Sequence, residues 1–145
     1  MKMKKSRIFL VDDDKDDQQL FKEAFLESKC SAELKIYNSG LELMSAISSE
    51  HSKPDMIFLD LYMPGMDGEE CLEALRKNSK FDNVPIVIYS TEFDIDRIAK
   101  LFSIGANRYL KKPDSFNSLV ASIQTSVESL RRNALGGTAI INIVT

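Results

Sequence analysis

The sequence has no tryptophan, one histidine, two cysteines, four prolines and six glycines in 145 residues. Two cysteines with no metal-ligand spacing rule out a disulfide scaffold and a thiolate zinc site, so Cys30 and Cys71 read as free thiols inside helices in a reducing compartment. The lone His51, in a polar stretch, reads as a surface residue. There is no apolar run of membrane-spanning length. Lys2, Lys4, Lys5 and Arg7 open the chain, but the apolar run behind them, residues 8–11, is too short for a secretory signal. A cytoplasmic protein without membrane attachment is expected. Excess positive charge is lacking too: the net charge is −3, which argues against direct nucleic-acid binding.

The apolar share of 43% is ordinary, and a chain of this length can bury one core. Residues 7–11, 56–59 and 86–89 are nearly continuous apolar runs, as strands covered on both faces require. Residues 32–37 and 107–110 are mixed and read as edge strands. Between them lie helical stripes: Leu20, Phe21, Ala24 and Phe25; Leu41, Met44 and Ile47; Leu72 and Leu75; Ile95, Ile98, Leu101 and Phe102; Phe116, Leu119, Val120, Ile123 and Val127. Asp14 is placed to cap the first, Asp114 or Ser115 the last, and Gly105 ends the fourth. Pro64, Gly65 and Gly68 form the turn before the third. Asp14, Asp16 and Asp17 read as a solvated helix start, where the helix dipole favours anions.

Five βα units in succession imply an α/β fold, a doubly wound parallel sheet of flavodoxin-like (βα)5 type. The strand order 2-1-3-4-5 is borrowed from that fold type rather than derived. In such a sheet the ligand crevice lies at the carboxyl ends of the strands. There the sequence puts Asp12, Asp13 and Asp14, then Asp60, then Ser90 and Thr91, then Lys111, Lys112 and Pro113. Clustered carboxylates repel: at ~4 Å and an effective dielectric of ~20, one pair costs about 4 kcal/mol. A hard divalent cation such as Mg²⁺ relieves this through oxygen ligands, and a lysine can neutralise an arriving phosphate. An ionised carboxylate there is a competent nucleophile toward phosphorus.

The motifs that carry this arrangement are Ile8-Phe9-Leu10-Val11-Asp12-Asp13, then residues 58–68 from Phe58-Leu59-Asp60 to Met66-Asp67-Gly68. Pro85-Ile86-Val87-Ile88-Tyr89-Ser90, Gly105-Ala106 and Tyr109-Leu110-Lys111-Lys112-Pro113 follow. In this order they resemble the response-regulator receiver domains of two-component signalling, the CheY-like family, over roughly residues 7–130. The resemblance implies that Asp60 accepts a phosphoryl group from a sensor histidine kinase or phosphotransfer protein. It implies Mg²⁺ held by Asp13, Asp60 and the backbone carbonyl of Tyr62, with Asp12 assisting through water. Lys112 would pair with a phosphoryl oxygen, Ser90 would donate to it, and Tyr109 would turn inward in response. The Lys112–Pro113 bond would be cis.

Three residues depart from the commonest pattern. Thr91 stands where a small alanine is usual and would crowd an inward Tyr109. Tyr62 and Glu92 flank the expected path of a hydrolytic water, and the Tyr62 ring would shield the phosphoryl group. A haloacid-dehalogenase-type phosphatase also uses a strand-end aspartate with Mg²⁺, but it needs a second aspartate where Tyr62 stands. A pseudo-receiver that binds without phosphorylation is the other alternative, and the intact Asp13, Asp60, Ser90 and Lys112 set speaks against it. The receiver domain is expected over residues 1–130, as a monomer or weak homodimer that signals to a downstream protein target. The fourth helix, fifth strand and fifth helix are the expected output face. In the tail, residues 131–145, Gly136-Gly137 interrupts the last helix and an uncharged, β-prone segment follows, to be disordered, packed on the domain or paired with a neighbour's sheet edge.

Overall fold

A computed structural model describes residues 5–49, 53–131 and 139–141, with side chains through residue 129. His51 therefore lies outside the described residues. The element order is β1 Ser6–Val11, α1 Lys15–Glu27, β2 Ala32–Tyr37, α2 Gly40–Ser49, β3 Met56–Leu59 and α3 Gly68–Arg76. A short 3₁₀ turn, Ser79–Phe81, leads to β4 Ile86–Ser90, α4 Ile95–Ile104, β5 Arg108–Lys111, α5 Phe116–Arg131 and β6 Ala139–Ile141. All pairings are parallel.

The first five strands take the expected order 2-1-3-4-5, and β6 extends the sheet beyond β5. This corrects the reading of β5 as an edge strand: its outer side is paired, Arg108 opposite Ala139 and Tyr109 opposite Ile140. Residues 132–138 and 142–145 of the tail lie outside the described residues.

The continuous apolar runs follow from helices covering both faces. Ile8, Leu10, Phe58 and Val87 point to one side, against Phe21, Ala24 and Phe25 of α1 and Leu119, Ile123 and Val127 of α5. Phe9, Val11, Ile57, Leu59, Ile86 and Ile88 point to the other, against Leu43 of α2, Cys71, Leu72 and Leu75 of α3, and Ile98 and Leu101 of α4. Strand alternation thus fills two cores at once.

Some stripe members fall outside these cores. Leu20, Leu41 and Ile95 are exposed. In α1 the inner face is instead completed by Gln18, a buried polar residue with a role at the site. Cys71 is buried in α3 as expected, but Cys30 sits between α1 and β2 rather than inside a helix, and both are free thiols. The capping expectations hold: the Asp14 side chain accepts from the Asp17 N–H, Ser115 Oγ from the Ser118 N–H at 3.1 Å, and Gly105 ends α4 with φ 130°. Among the described residues no helix is long and apolar enough to cross a membrane.

Gly68 does more than turn the chain. It opens α3 behind a capping box of Asp67 and Glu70, and its N–H donates to the Leu61 carbonyl at 2.8 Å. A Cβ at this position would stand 2.2 Å from the Asp60 carbonyl oxygen and 2.7 Å from Leu61 Cα. The α3 start is therefore pressed against the backbone that carries Asp60, and only glycine permits it. Gly68→Ala should lower unfolding free energy by about 1–3 kcal/mol, the usual cost of overpacking, measured by urea denaturation; an unchanged midpoint would contradict this close approach.

Candidate phosphoryl-acceptor and metal site

Adjacent parallel strands ending at one level bring the predicted residues together. Val11 pairs with Leu59, so Asp12 and Asp60 leave the sheet side by side, and the Asp60 N–H donates to the Val11 carbonyl at 3.0 Å. Ser90 closes β4, and the Lys112 N–H donates to its carbonyl at 2.7 Å, fixing where the lysine departs. Ligand oxygens of Asp12, Asp13 and Asp60 all lie within 4.8 Å of one another. Asp12 and Asp60 are buried while Asp13 faces solvent. This set of hard oxygen donors, open on one side for water, fits a small divalent cation.

Lys112 is the counter-charge. Its Nζ lies 2.8 Å from Asp17 Oδ2, 3.2 Å from Asp12 Oδ2 and 3.7 Å from Asp60 Oδ1, and 4.9 Å from the centre of the buried Tyr89 ring. Burial disfavours the ammonium, but Asp17, Asp12 and Asp60 outweigh it and raise its pKa above the ordinary value. For Asp12 burial dominates and raises the pKa, although the Asp14 N–H and Lys112 oppose it. Burial likewise pushes Asp60 up to about 7, against the pull of Lys112 and with the push of Asp12.

Asp17 was assigned to a solvated helix start, and that is corrected here. It supplies the shortest contact to Lys112. The available signal was positional: Asp14 caps α1 directly after β1, so the first turn of the helix must rise beside the same strand ends. Gln18, one residue on, donates to the Asp12 carbonyl and, at 2.9 Å, to Asn38 Oδ1. It satisfies the backbone of a buried acidic loop, a task no apolar stripe reveals.

The residues expected to form a switch are also connected. Ser90 is fully buried, and its Oγ accepts the Glu92 N–H at 3.2 Å. Tyr109 is inward, 1% exposed, with its phenol donating to the Glu92 carbonyl; burial raises its pKa and a hydrogen bond with Ser90 opposes that. Thr91, next to Ser90, is exposed. The Tyr62 hydroxyl donates to Glu92 Oε1 at 2.7 Å, and that bond raises its pKa. Arg97 lies 5.9 Å from the Tyr62 ring centre and pairs with Glu69 at 3.3 Å. Glu92 thus joins Tyr62, Ser90 and Tyr109, a junction that residue spacing hinted at only through Tyr62 and Glu92.

The Lys112–Pro113 bond is not cis; there are no cis peptide bonds among the described residues. Trans is the intrinsically favoured isomer by about 0.5–1 kcal/mol, and Lys112 reaches its carboxylates with the bond trans.

A family model of the response regulator receiver domain matches residues 8–124. This chain belongs to the response regulator receiver domain family. Its relatives include the response regulator Rcp1 of Synechocystis sp., 30% identical over 81% of this chain and 83% of that protein. Among solved structures, the phosphorylated cyanobacterial phytochrome response regulator RcpA superposes with a TM-score of 0.80 at 29% identity, covering 90% of this chain and 96% of that one. The Mn²⁺-bound form of Rcp1 gives a TM-score of 0.74 at 29% identity, covering 86% and 92%. The receiver domain is thus a two-component signalling module, a member of a signalling family rather than of a classical enzyme family, and the dehalogenase-type alternative is set aside. Receiver domains bind a divalent metal, and Asp12, Asp13 and Asp60 form a group that could hold one here.

The Asp60 environment has a consequence for stability. A folded-state pKa of about 7, against 3.8 for the free side chain, means the folded protein binds a proton more tightly than the unfolded chain between those values. Stability from this group therefore falls as pH rises through the window, and Asp12 shifts in the same direction. In metal-free buffer at pH 8, Asp60→Asn should be more stable than wild type by about 1–3 kcal/mol, with the gap closing near pH 4 and on adding Mg²⁺. A gap that does not change with pH in urea melts would contradict the shifted pKa.

Proposed function

We propose that this receiver domain accepts a phosphoryl group on Asp60, with Mg²⁺ held by Asp12, Asp13, Asp60 and the Tyr62 backbone carbonyl, and passes the signal on by protein–protein contact. The observation that carries the reading is the convergence of three carboxylates and the Lys112 ammonium at the ends of three strands, β1, β3 and β5. Nothing in the packing of the core calls for that cluster. We assign the receiver function to residues 1–130.

The chemistry needs little beyond positioning and charge neutralisation. An Asp60 Oδ attacks phosphorus as the bond to the donor nitrogen or oxygen breaks, and the leaving group departs with the electron pair. The product is an acyl phosphate. A bound divalent cation would favour the ionised form of Asp60 and neutralise phosphoryl oxygens. Lys112 would shift from Asp17 and Asp12 toward a phosphoryl oxygen. Ser90, buried beside Tyr109 and Glu92, is placed to donate its hydroxyl to another. Because Ser90 and the Glu92 backbone hold the Tyr109 phenol, a change at Ser90 reaches β5 and α4 directly. A sensor histidine kinase or phosphotransfer protein would supply the phosphoryl group, and a protein target would read the α4, β5 and α5 region. Catalysis would be limited to the domain's own phosphorylation and dephosphorylation.

Labelling with acetyl phosphate tests this: incorporation should require Mg²⁺ and vanish in Asp60→Asn. Label that persists in the variant would sink the site, and multiple-turnover hydrolysis of unrelated phosphate esters would favour a phosphatase instead. The Tyr62–Glu92 bond across the mouth also supports the shielding role. Tyr62→Asn should lose its phosphoryl group faster than wild type once labelled; a rate no faster would show that the ring does not limit water.

A further inference from the structure

Asp17 has no task in the phosphoryl-acceptor chemistry. It is not among the group of Asp12, Asp13 and Asp60 that could hold a cation, yet it makes the shortest contact to Lys112, 2.8 Å from Nζ. Asp12 lies at 3.2 Å and Asp60 at 3.7 Å, the latter beyond ordinary hydrogen-bond reach. The contact is built in from both sides. The Asp17 N–H donates to the Asp14 cap at 3.0 Å, and Gln18 ties the same helical turn to the Asp12 carbonyl. Opposite, the Lys112 N–H is fixed on the Ser90 carbonyl at 2.7 Å, and the ammonium lies 4.9 Å from the centre of the Tyr89 ring.

The three partners of Lys112 differ in how readily they let it go. Asp12 and Asp60 are candidate metal ligands, so a bound cation would neutralise them and weaken their hold on the ammonium. Asp17 would keep its full charge. Its side chain is 38% exposed, against 11% for Lys112 and 0% for Asp12. Water can therefore replace the ammonium around Asp17, whereas a buried carboxylate left without its partner carries a large desolvation cost. With the metal site filled, Asp17 is the principal holder of Lys112, and one that a stronger anion can displace.

We propose that Asp17 is a positioning residue that competes with the phosphoryl group for Lys112. The inference rests on the reading of Asp60 as the phosphoryl acceptor. Before transfer, Asp17 draws the ammonium to the α1 side and leaves Asp60 Oδ1 without a direct lysine hydrogen bond. After transfer, the phosphoryl oxygens must draw Lys112 off Asp17. The net gain from the lysine is then smaller than a free ammonium would give. Asp17 thereby sets how far the phosphorylated state is favoured, without touching the phosphoryl group itself.

The test uses the full chain, with beryllofluoride at saturating Mg²⁺ as the phosphoryl mimic and its affinity read by fluorine NMR. Asp17→Asn should bind it about two- to five-fold more tightly than wild type, the range that an ion pair with an exposed partner commands. Asp16→Asn, which removes a charge from the same first turn of α1, should change the affinity less. A second measurement reads Mg²⁺ affinity alone by calorimetry. Asp17→Asn should weaken it more in the wild-type background than beside Lys112→Met, because only a freed lysine can move onto Asp12 and Asp60. Beryllofluoride binding that is unchanged or weaker in Asp17→Asn, an equal effect of Asp16→Asn, or strictly additive Mg²⁺ affinities would each overturn the competition. A wild-type chain that binds no beryllofluoride would overturn the phosphoryl-acceptor reading and the competition with it.

Discussion

The interaction on which the structure depends is the repulsion among Asp12, Asp13, Asp17 and Asp60, held in check by one ammonium group. Four carboxylates gather around Lys112, which contacts three of them directly. Burial makes the Asp12 and Asp60 charges more expensive, and Asp60 moves up to about 7. Such a site is unfinished electrostatically. Added positive charge would stabilise it, and under the proposed function a phosphate would be accepted only once that charge had arrived. The fold tolerates this cost because the strands beneath are packed on both faces and their ends have no freedom to spread.

Under the proposed function, the route of the signal follows from that constraint. Asp12 and Asp60 follow the ends of β1 and β3, β4 ends in the buried Ser90 hydroxyl, and β5 carries Tyr109 and leads directly to Lys112. Glu92 links three of these elements: its backbone meets Ser90 and Tyr109, while its carboxylate meets Tyr62 at the mouth. A new anion beside Ser90 must compete with bonds that already hold Tyr109 and the loop into α4. Arg97 extends the same chain to Glu69 on α3. The carboxylates at the strand ends and the Ser90–Glu92–Tyr109 contacts on the α4–β5 side are therefore neighbours, joined through the backbone bond from Lys112 to Ser90.

Much of this was legible in the residues. Continuous apolar runs identified β1, β3 and β4 because those strands are covered on both sides, and strand ends in an open parallel sheet told where to look for Asp60, Ser90 and Lys112. What was missed has physical reasons. Asp17 and Gln18 belong to a helix start, where acidic and polar residues are common for reasons of capping, so their second role is masked. Leu20, Leu41 and Ile95 matched helical spacing, yet a stripe is wider than the face a sheet can cover. β6 lay beyond a Gly-Gly break, and composition alone does not say which edge a β-prone segment will find.

The central claim is that Asp60, and no neighbouring carboxylate, becomes the acyl phosphate. Borohydride reduction converts an aspartyl phosphate to homoserine, which peptide mass spectrometry locates. After Mg²⁺-dependent phosphorylation of the wild-type chain, homoserine should appear at position 60. Homoserine at 12, 13 or 17 instead, or at no position under conditions where phosphate is incorporated, would contradict the account.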